Sequence, residues 1–503
     1  MSHSQKIIIT TLNARYMHTA FGLRYLYANM GSLQAQTEII EFTIQELPLN
    51  IVERLLNTPP AIIGLSVYIW NIEEVTKTVT LLKQIAPDTF IVLGGPEVSH
   101  YPDVPAVTDL ADYVISGAGE VSFPLLCEQL LSGHRPENKF IEGKILPLNE
   151  LTLPYDYYND NDIRNRLIYV EASRGCPFKC EFCLSALDKS VTAFPLVPFF
   201  KAMETLLQRG VRNFKFIDRT FNLKISTSVA ILEFFLQHMS DDLYLHFEVV
   251  PDNLPDKLKV VLQRFPANSL QFEIGVQTFD EDIQTLISRH QNNEKTKDNI
   301  RWLREHTGAH LHTDLIFGLP SDTLINFGHS FDQLLALKPH EIQMGILKRL
   351  RGAPINRHNE HYQLNYNPQA PYNILSTRTI SFSELQRVNR FARYWDMIGN
   401  SGRFSHTLPL ILADKPFNNF LRLTDLLHVV AGSSWKIALK RLFELLFTVL
   451  TENFLLEKEC VKQALALDYD RTGLKGLPSY EQKNVTPKKN KQGIANKRQL
   501  MHD

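Results

Sequence analysis

Apolar residues in the first 120 positions form short runs that alternate with longer amphipathic stretches. The runs fall at 6–12, 37–44, 61–70, 90–98 and 112–117, and the first and third intervals carry helix-length patterns around Phe21–Met30 and over Ile72–Ala86. Near-continuous apolar runs are typical of strands that are covered on both faces, and strands separated by helices form parallel sheets. The pattern predicts a doubly wound α/β domain over residues 1–135.

The same alternation restarts after a connector, 136–166, that has no clean periodicity. Six strand-like runs fall at 167–175, 214–221, 245–250, 270–278, 310–319 and 341–350, with helical patterns between them. Six β/α units in series predict a partial parallel barrel over 167–350. Residues that act in such a barrel lie at the carboxyl ends of its strands.

Beyond residue 350 the strand pattern gives way to helical patterns at 381–398, 417–431 and 434–457. These predict a mostly helical C-terminal domain over 351–470. Residues 471–503 are rich in Lys, Asn and Gly and poor in apolar residues, which predicts a disordered basic tail. We expect this tail to be solvated rather than bound to RNA.

Composition narrows the class of protein. The chain has 503 residues, 44% hydrophobic and 21% charged, with a formal net charge of -1, as expected of two or three globular domains. A near-neutral charge gives no general attraction to nucleic acid or acidic lipid. No apolar run reaches membrane-spanning length and the first residues lack a signal-peptide pattern, so we expect a cytoplasmic protein without a membrane partner.

Three of the five cysteines, Cys176, Cys180 and Cys183, are spaced C-x3-C-x2-C after the first barrel strand. Three thiolates on one loop can hold three corners of a 4Fe-4S cluster and leave the fourth iron open, unlike the four-cysteine clusters of electron-transfer proteins. A zinc site is the alternative, but it requires a fourth ligand that the sequence nearby does not offer. Cys127 and Cys460 lie in apolar, helix-like surroundings and are interpreted as buried structural thiols.

The sequence CPFKCEFC, with an aromatic residue before the last cysteine, resembles the signature of the radical S-adenosylmethionine (SAM) superfamily. The resemblance implies that the open iron chelates SAM and that reductive cleavage yields methionine and a 5′-deoxyadenosyl radical, which abstracts hydrogen from a substrate. It also implies an electron donor such as flavodoxin or ferredoxin. The catalytic residues beyond the cluster are left open.

The barrel is most similar to the oxygen-independent coproporphyrinogen oxidase branch. The segments FEVVPDNL, GVQTFDEDIQTLISRHQ and HTDLIFGLPSDT resemble its third, fourth and fifth strands. Together with the aromatic residue of the cysteine loop, the resemblance implies the following SAM-binding residues: Phe182, Glu248, Gln277, Arg289 and Asp314. The family's glycine-rich stretch after the second strand is replaced by FKFIDRTFNLK, a form seen in cobalamin-dependent members.

A doubly wound domain in front of such a barrel resembles the flavodoxin-like cobalamin (B12)-binding domain of those members. The segments GLSVYIWN, VLGGPEVSHYP and ISGAGEVSFPLL carry the resemblance. The implied cobalamin-binding residues are Ser66, Val67, Tyr68, Trp70, Gly94, Gly95, Pro96, Glu97, Gly117, Gly119 and Glu120. An Asp-x-His-x-x-Gly sequence does not occur, so cobalt is expected to lack a histidine ligand and to face Val67, Tyr68 or Trp70.

Alternative roles remain for this domain. Glu120 opens a helix and can simply complement its dipole. His18 is a weak candidate for a cofactor or substrate contact, and an ordinary surface histidine is the favoured interpretation. A degenerate domain that binds nothing is a further alternative.

The function that these resemblances favour is a cobalamin-dependent radical SAM enzyme, with methylation of an unactivated carbon as one of the reactions open to it. The alternatives are a cobalamin-independent radical SAM oxidoreductase and a non-catalytic cobalamin or iron–sulfur sensor. The substrate is unknown. Two interpretations, substrate recognition and ordinary packing or solvation, apply equally to five residues of the region after the barrel: Arg349, Arg351, Arg357, Tyr394 and Trp395.

Overall fold

The computed structural model describes residues 5–188, 190–476 and 478. Its contacts divide the chain into two compact units, Met1–Ala392 and Arg393–Asp503. The first unit holds two parallel sheets, and the second is helical in its described residues. The predicted domain boundaries at 135, 166 and 350 all fall within the first unit and stay predictions.

The first sheet is parallel, with strand order β2-β1-β3-β4-β5-β6 in the described part of the chain. The strands are β1 (Ile7–Asn13), β2 (Thr37–Thr43), β3 (Ile62–Ser66), β4 (Phe90–Gly94), β5 (Tyr113–Ser116) and β6 (Phe140–Glu142). The helices are α1 (Phe21–Ala28), α2 (Pro48–Leu56), α3 (Ile72–Ile85), α4 (Val107–Leu110) and α5 (Ser122–Leu131).

Alternation along the strands distributes this sheet's apolar residues between two helical layers. Ile8 and Leu12 of β1 belong to the core on one face, and Ile7 and Ile9 belong to the core on the other. All seven residues of β1 are buried because the strand lies inside the sheet and is covered on both sides. The predicted doubly wound domain is confirmed.

Two details of the N-terminal prediction were wrong. β6 lies within the region predicted as a connector and adds a sixth strand beside β5. The runs at 61–70 and 90–98 are strands only as far as Ser66 and Gly94, and each then turns at the edge of the sheet. A 3₁₀ turn, Pro96–Val98, follows β4.

The second sheet is also parallel, with strand order β14-β13-β12-β11-β10-β7 in the described residues. Its strands are β7 (Ile168–Val170), β10 (Asn213–Phe216), β11 (Tyr244–Val249), β12 (Leu270–Gln277), β13 (His310–Phe317) and β14 (Glu341–Ile346). Helices α6 (Asp160–Asn165), α7 (Leu196–Gln208), α8 (Ile225–Gln237), α9 (Asp256–Leu262), α10 (Glu281–Leu286), α11 (Asn293–His306) and α12 (Leu324–Ala336) precede or connect these strands. The six predicted β/α units are confirmed.

The two faces of the second sheet differ in polarity. Phe214 and Phe216 of β10 contact Phe235 of α8, so the apolar side chains lie under the helices. The alternating positions on the other face carry polar side chains on neighbouring strands. These include Lys215, His246, Glu248, Glu273, His312 and Asp314.

Short elements follow the barrel: a 3₁₀ turn (Pro354–His358), α13 (Asn359–Tyr362) and an antiparallel pair, β15 (Asn365–Tyr366) and β16 (Ile374–Ser376). The remaining helices are α14 (Phe382–Ile398), α15 (Leu408–Leu412), α16 (Pro416–Ala431), α17 (Leu439–Glu452) and α18 (Lys458–Asp470). The predicted helix at 434–457 is therefore α17 alone, and α18 is separate. The predicted tail lies almost wholly outside the described residues.

The two isolated cysteines have different surroundings. Cys127 is buried, and burial raises the pKa of its thiol, as expected of a structural cysteine. Cys460 is exposed on α18, so its prediction as a buried thiol was wrong. The apolar side of an amphipathic helix has the same sequence pattern whether another element covers it or not. The sequence pattern around Cys460 therefore did not reveal its exposure.

Candidate functional site

The three closely spaced cysteines lie on the loop between two short antiparallel strands, β8 (Ser173–Arg174) and β9 (Thr192–Ala193), after β7. Gly175 begins the loop with φ +94°, and a Cβ added there would lie 1.7 Å from the carbonyl oxygen of Ser190. Only glycine fits this approach. Cys183 N–H donates to the carbonyl of Cys180 at 3.0 Å, which turns the end of the loop back on itself.

All three cysteines line one cavity of about 280 Å³ at the carboxyl ends of the barrel strands. The predicted SAM-binding residues, which come from four different segments of the chain, line the same cavity: Phe182, Glu248, Gln277, Arg289 and Asp314. The lining includes further polar side chains that were not predicted to bind SAM, among them Arg219, Thr220 and Glu273. The alternation of polar residues along β12 would have identified Glu273.

Arg289 lies beside a cysteine. Its Nη1 is 3.5 Å from Cys180 Sγ. Its Nη2 donates to Gln291 Oε1 at 2.8 Å and also to the carbonyl of Gly275. The side chain is therefore held in the cavity wall by groups that are already in place.

Glu248, at the end of β11, pairs with Arg219 at 3.2 Å. Burial raises the pKa of the Glu248 carboxyl, and the guanidinium of Arg219 opposes this shift. The pair adds one carboxylate and one guanidinium to the cavity lining that also includes Arg289. Neither the pairing nor the role of Arg219 was predicted.

Gln277 sits at an irregularity in the pairing of β12 with β13, between Gly275 and Gln277. Its φ is +69°, unusual for a residue with a side chain. Its Oε1 is buried without a hydrogen-bond partner in the described part of the chain, and so is Thr220 Oγ1. A buried polar atom without a partner is costly. Two such atoms on one cavity indicate a polar ligand.

Asp314 is the acidic residue of β13 at the cavity. Burial raises the pKa of its carboxyl, and His312 Nε2 lies 3.4 Å from its Oδ1. His312 also contacts Glu341 Oε2 at 2.8 Å. Although burial opposes it, these carboxylates raise the pKa of His312 to about 10, so the imidazole is cationic.

The donor set fits an iron–sulfur cluster better than a single metal ion. No group of three or more His, Cys, Asp or Glu side chains in the described residues is arranged to hold one metal ion. The three cysteines nevertheless line one cavity. A cluster holds each thiolate on a different iron, so its ligands are spread further apart than those of one ion.

A second cavity, of about 730 Å³, lies at the carboxyl ends of the first sheet's strands. Eight of the predicted cobalamin-binding residues line it: Ser66, Tyr68, Trp70, Gly94, Gly95, Gly117, Gly119 and Glu120. The rings of Tyr68 and Trp70 are stacked with centroids 4.3 Å apart. A volume in this range is typical of small-molecule sites.

Three of the predicted cobalamin-binding residues, Val67, Pro96 and Glu97, do not line this cavity. Val67 is fully buried in the apolar core, so its side chain does not face the cavity as predicted. Glu97 is buried and pairs with Arg351 at 2.8 Å. All three residues lie just past the ends of β3 and β4, where the chain turns at the edge of the sheet.

Gly95 is required by its backbone. It has φ 103° and ψ 170°, and a Cβ there would lie 2.6 Å from the carbonyl oxygen of Val67. Gly117 also has a positive φ, of 76°, but a Cβ there would meet nothing within 4 Å. Both glycines line the cavity, where a residue without a side chain lets a ligand approach the backbone closely.

Barrel residues close the other side of this cavity. His18 Nδ1 lies 2.7 Å from Tyr169 Oη, and burial lowers the pKa of the imidazole. His18 is therefore a neutral, half-buried lining residue rather than an ordinary surface histidine. Arg174, two residues before Cys176, pairs with Glu120 at 2.7 Å. This contact links the cavity wall to the start of the cysteine loop.

Three families match the chain. The B12 binding domain matches residues 7–126, the radical SAM superfamily matches residues 170–334, and a family described as protein of unknown function (DUF4080) matches residues 360–502. No helix among the described residues is both long and apolar enough to cross a membrane.

Among curated proteins, the chain is similar to the cobalamin-dependent radical SAM methyltransferase TokK of Streptomyces tokunonensis. The two are 26% identical over 400 residues, which are 65% of this chain and 52% of TokK. The chain thus spans about half the length of that relative. A 71-residue segment, 14% of the chain, is 38% identical to oxygen-independent coproporphyrinogen III oxidase of Paracoccus denitrificans and covers 16% of it.

Two solved structures share the fold. The radical SAM methyltransferase TsrM of Kitasatospora setae, with cobalamin and a 4Fe-4S cluster bound, matches with a TM-score of 0.59 and 16% identity over 73% of this chain and 76% of TsrM. The cobalamin-dependent SAM radical enzyme OxsB, without ligands, matches with a TM-score of 0.62 and 14% identity over 93% of this chain and 79% of OxsB.

Proposed function

We propose that the chain is a cobalamin-dependent radical SAM enzyme, because the B12 binding domain matches residues 7–126 and the radical SAM superfamily matches residues 170–334. The observation that supports this most strongly is the cavity shared by Cys176, Cys180, Cys183 and the five residues predicted to bind SAM. A loop that only bound zinc would need no such lining.

In this proposal the three thiolates hold a 4Fe-4S cluster whose fourth iron has no protein ligand. Arg289 pairs with the carboxylate of the methionine moiety, a role suited to a guanidinium fork. Glu248 and Asp314 accept hydrogen bonds from the ribose hydroxyls, and Gln277 Oε1 and Thr220 Oγ1 gain the partners that they lack in the protein alone. Phe182 shields the cluster from water.

The cavity of the first sheet would hold cobalamin, and Gly94, Gly95, Gly117, Tyr68 and Trp70 are among the residues that line it. When bound, the SAM and cobalamin cofactors supply a 5′-deoxyadenosyl radical and a methyl carrier, respectively. His18, Tyr169 and Glu171 line the same cavity, and they would bind and orient a substrate there.

We further propose that the reaction is methylation of an unactivated carbon. The resemblance to the methyltransferase TokK supports methylation. A low-potential donor such as flavodoxin or ferredoxin would reduce the cluster. We assign the protein to the cytoplasm, where thiols stay reduced.

The test is anaerobic reconstitution with iron, sulfide and hydroxocobalamin, followed by desalting and assay with dithionite and SAM. Iron, bound corrinoid and 5′-deoxyadenosine are quantified in the wild type and in Cys180→Ala. We expect about four iron atoms per chain, retained corrinoid, and 5′-deoxyadenosine that disappears in the variant. Cys127→Ala is the matched control, because this buried thiol lies in the core of the first sheet.

Each result has a distinct meaning. A cluster without corrinoid would leave a cobalamin-independent radical SAM enzyme. Corrinoid and cluster without SAM cleavage would favour a sensor. Zinc in place of iron would refute the whole proposal.

A further inference from the structure

Glu181 stands between the second and third cysteines of the loop, yet its side chain is turned away from solvent and is only 4% exposed. Its carboxylate accepts a hydrogen bond from Ser288 Oγ at 2.6 Å and from Arg357 Nε at 2.9 Å. His358 Nε2 lies 2.9 Å from the same carboxylate. We call Glu181, Ser288, Arg357 and His358 the Glu181 clamp.

The backbone of Glu181 joins the same segments. Its N–H donates to the carbonyl of Ile287 at 3.0 Å, and its carbonyl accepts from Ile355 N–H at 2.9 Å. One residue therefore connects the cysteine loop, the turn after α10 and the segment that follows the barrel. These segments are more than 60 residues apart in the chain.

Burying a carboxylate costs several kcal/mol unless its oxygens are well paired. Here the pairing is nearly complete, and Arg357 reaches the buried carboxylate although its own side chain is 62% exposed. A guanidinium that is free to remain in water gains little from an ordinary surface ion pair. The ion pair between Arg357 and Glu181 is therefore better explained by the segments that it holds together than by the stability that it adds.

Two of the held segments carry groups of the proposed active site. Ser288 immediately precedes Arg289, whose Nη1 lies 3.5 Å from Cys180 Sγ. Cys180 in turn immediately precedes Glu181. The clamp contains Glu181, the neighbour of Cys180 in the chain, and Ser288, the neighbour of Arg289. It thus fixes the backbone next to both partners of the Cys180–Arg289 contact.

We propose that Glu181 is a positioning residue that sets the distance between Cys180 Sγ and the guanidinium of Arg289, and that Arg357 and His358 hold Glu181 in that position from the segment after the barrel. This inference rests on the proposed function. It assigns Arg357 to the clamp rather than to substrate recognition.

The test compares Glu181→Gln and Arg357→Gln with the wild type after anaerobic reconstitution, with activity normalised to iron content. We expect the KM for SAM in 5′-deoxyadenosine formation to rise about 10-fold while kcat changes much less, as for other groups that orient metal-site ligands. The electron paramagnetic resonance spectrum of the reduced cluster with SAM should also change. Glu233→Gln is the control, since Glu233 forms an ion pair with Arg264 on the outer helical layer.

The outcomes separate the two proposals. A wild-type protein without a cluster or 5′-deoxyadenosine contradicts the proposed function itself. An active wild type with an unchanged KM and spectrum in Glu181→Gln overturns the clamp. If Glu181→Gln does not fold, Arg357→Gln decides alone, because its exposed side chain can be replaced without opening the core.

Discussion

A glycine can be required by a positive φ or by a lack of space for a Cβ, and the sequence does not distinguish these two requirements. Gly95 and Gly117, at the strand ends, separate them. At Gly95 the backbone lies in a region nearly restricted to glycine, and a Cβ would also clash with Val67. At Gly117 only the positive φ opposes a side chain. We expect Gly95→Ala to lower the free energy of unfolding by about 3 kcal/mol and Gly117→Ala by about 1 kcal/mol. Urea unfolding monitored by circular dichroism measures both, and equal losses would contradict the assignment of a clash to Gly95 alone.

At the scale of elements, the polar face of the barrel sheet predicts a pH dependence. His312 on β13 has its pKa raised to about 10 from an ordinary value of 6.5. Its stabilising contribution is therefore fully present below about pH 6.5 and is lost as the pH rises through about 10. We expect His312→Gln to cost about 2 kcal/mol at pH 6 and much less at pH 10, as measured by unfolding at each pH.

The control for this experiment is His306→Gln, because His306 is at the exposed end of α11 and contacts its own helix. A difference between His312→Gln and the wild type that stays constant from pH 6 to pH 10 would show that the imidazole is not cationic. Glu341 is the closer partner of His312, at 2.8 Å against 3.4 Å for Asp314. Burial raises the pKa of Asp314 despite the neighbouring cation. The pKa of Glu341 is lowered, first by its hydrogen bond with His310 and then by that with His312.

The elements also show what periodicity could predict. The barrel strands were located because apolar residues alternate with polar ones along them, as in β12 and β13. β6 was missed because three residues at a sheet edge carry too little pattern. The helix predicted at 434–457 overran the end of α17 because apolar residues continue beyond it, at Phe454, Leu455 and Leu456, and α18 was not predicted as a separate helix. The loop with three cysteines was located by its chemistry rather than by periodicity.

For the molecule as a whole, contacts between residues distant in sequence distinguish packing from substrate recognition, which the sequence left open for several residues after the barrel. Arg351 pairs with Glu97 and, at 2.6 Å, with Asp103, across about 250 residues of chain. Tyr394 and Trp395 are buried, so the packing alternative applies to them. Spacing cannot reveal such partners because each residue alone is compatible with binding, pairing or packing.

The contact between Arg351 and Glu97 yields the last prediction, which also tests the cobalamin role predicted for Glu97. Both side chains are largely buried, with exposed fractions of 13% and 4%. Arg351→Met leaves a buried carboxylate without its main cation, and we expect it to lower the free energy of unfolding by about 3 kcal/mol. Glu97→Gln removes the charge but keeps the shape, and the double variant should recover more than 1 kcal/mol of the summed losses.

Corrinoid retention separates stability from cofactor contact in the same variants. If Glu97 acts through Arg351, both single variants lose stability while the folded protein still retains corrinoid after desalting. If Glu97 contacts the cofactor, Glu97→Gln releases corrinoid and Arg351→Met does not. The geometry favours the first result, because Glu97 lies outside the cavity that Gly95 lines. The segment after the barrel would then connect the B12 binding domain through Arg351 and the cysteine loop through Arg357, six residues further along the chain.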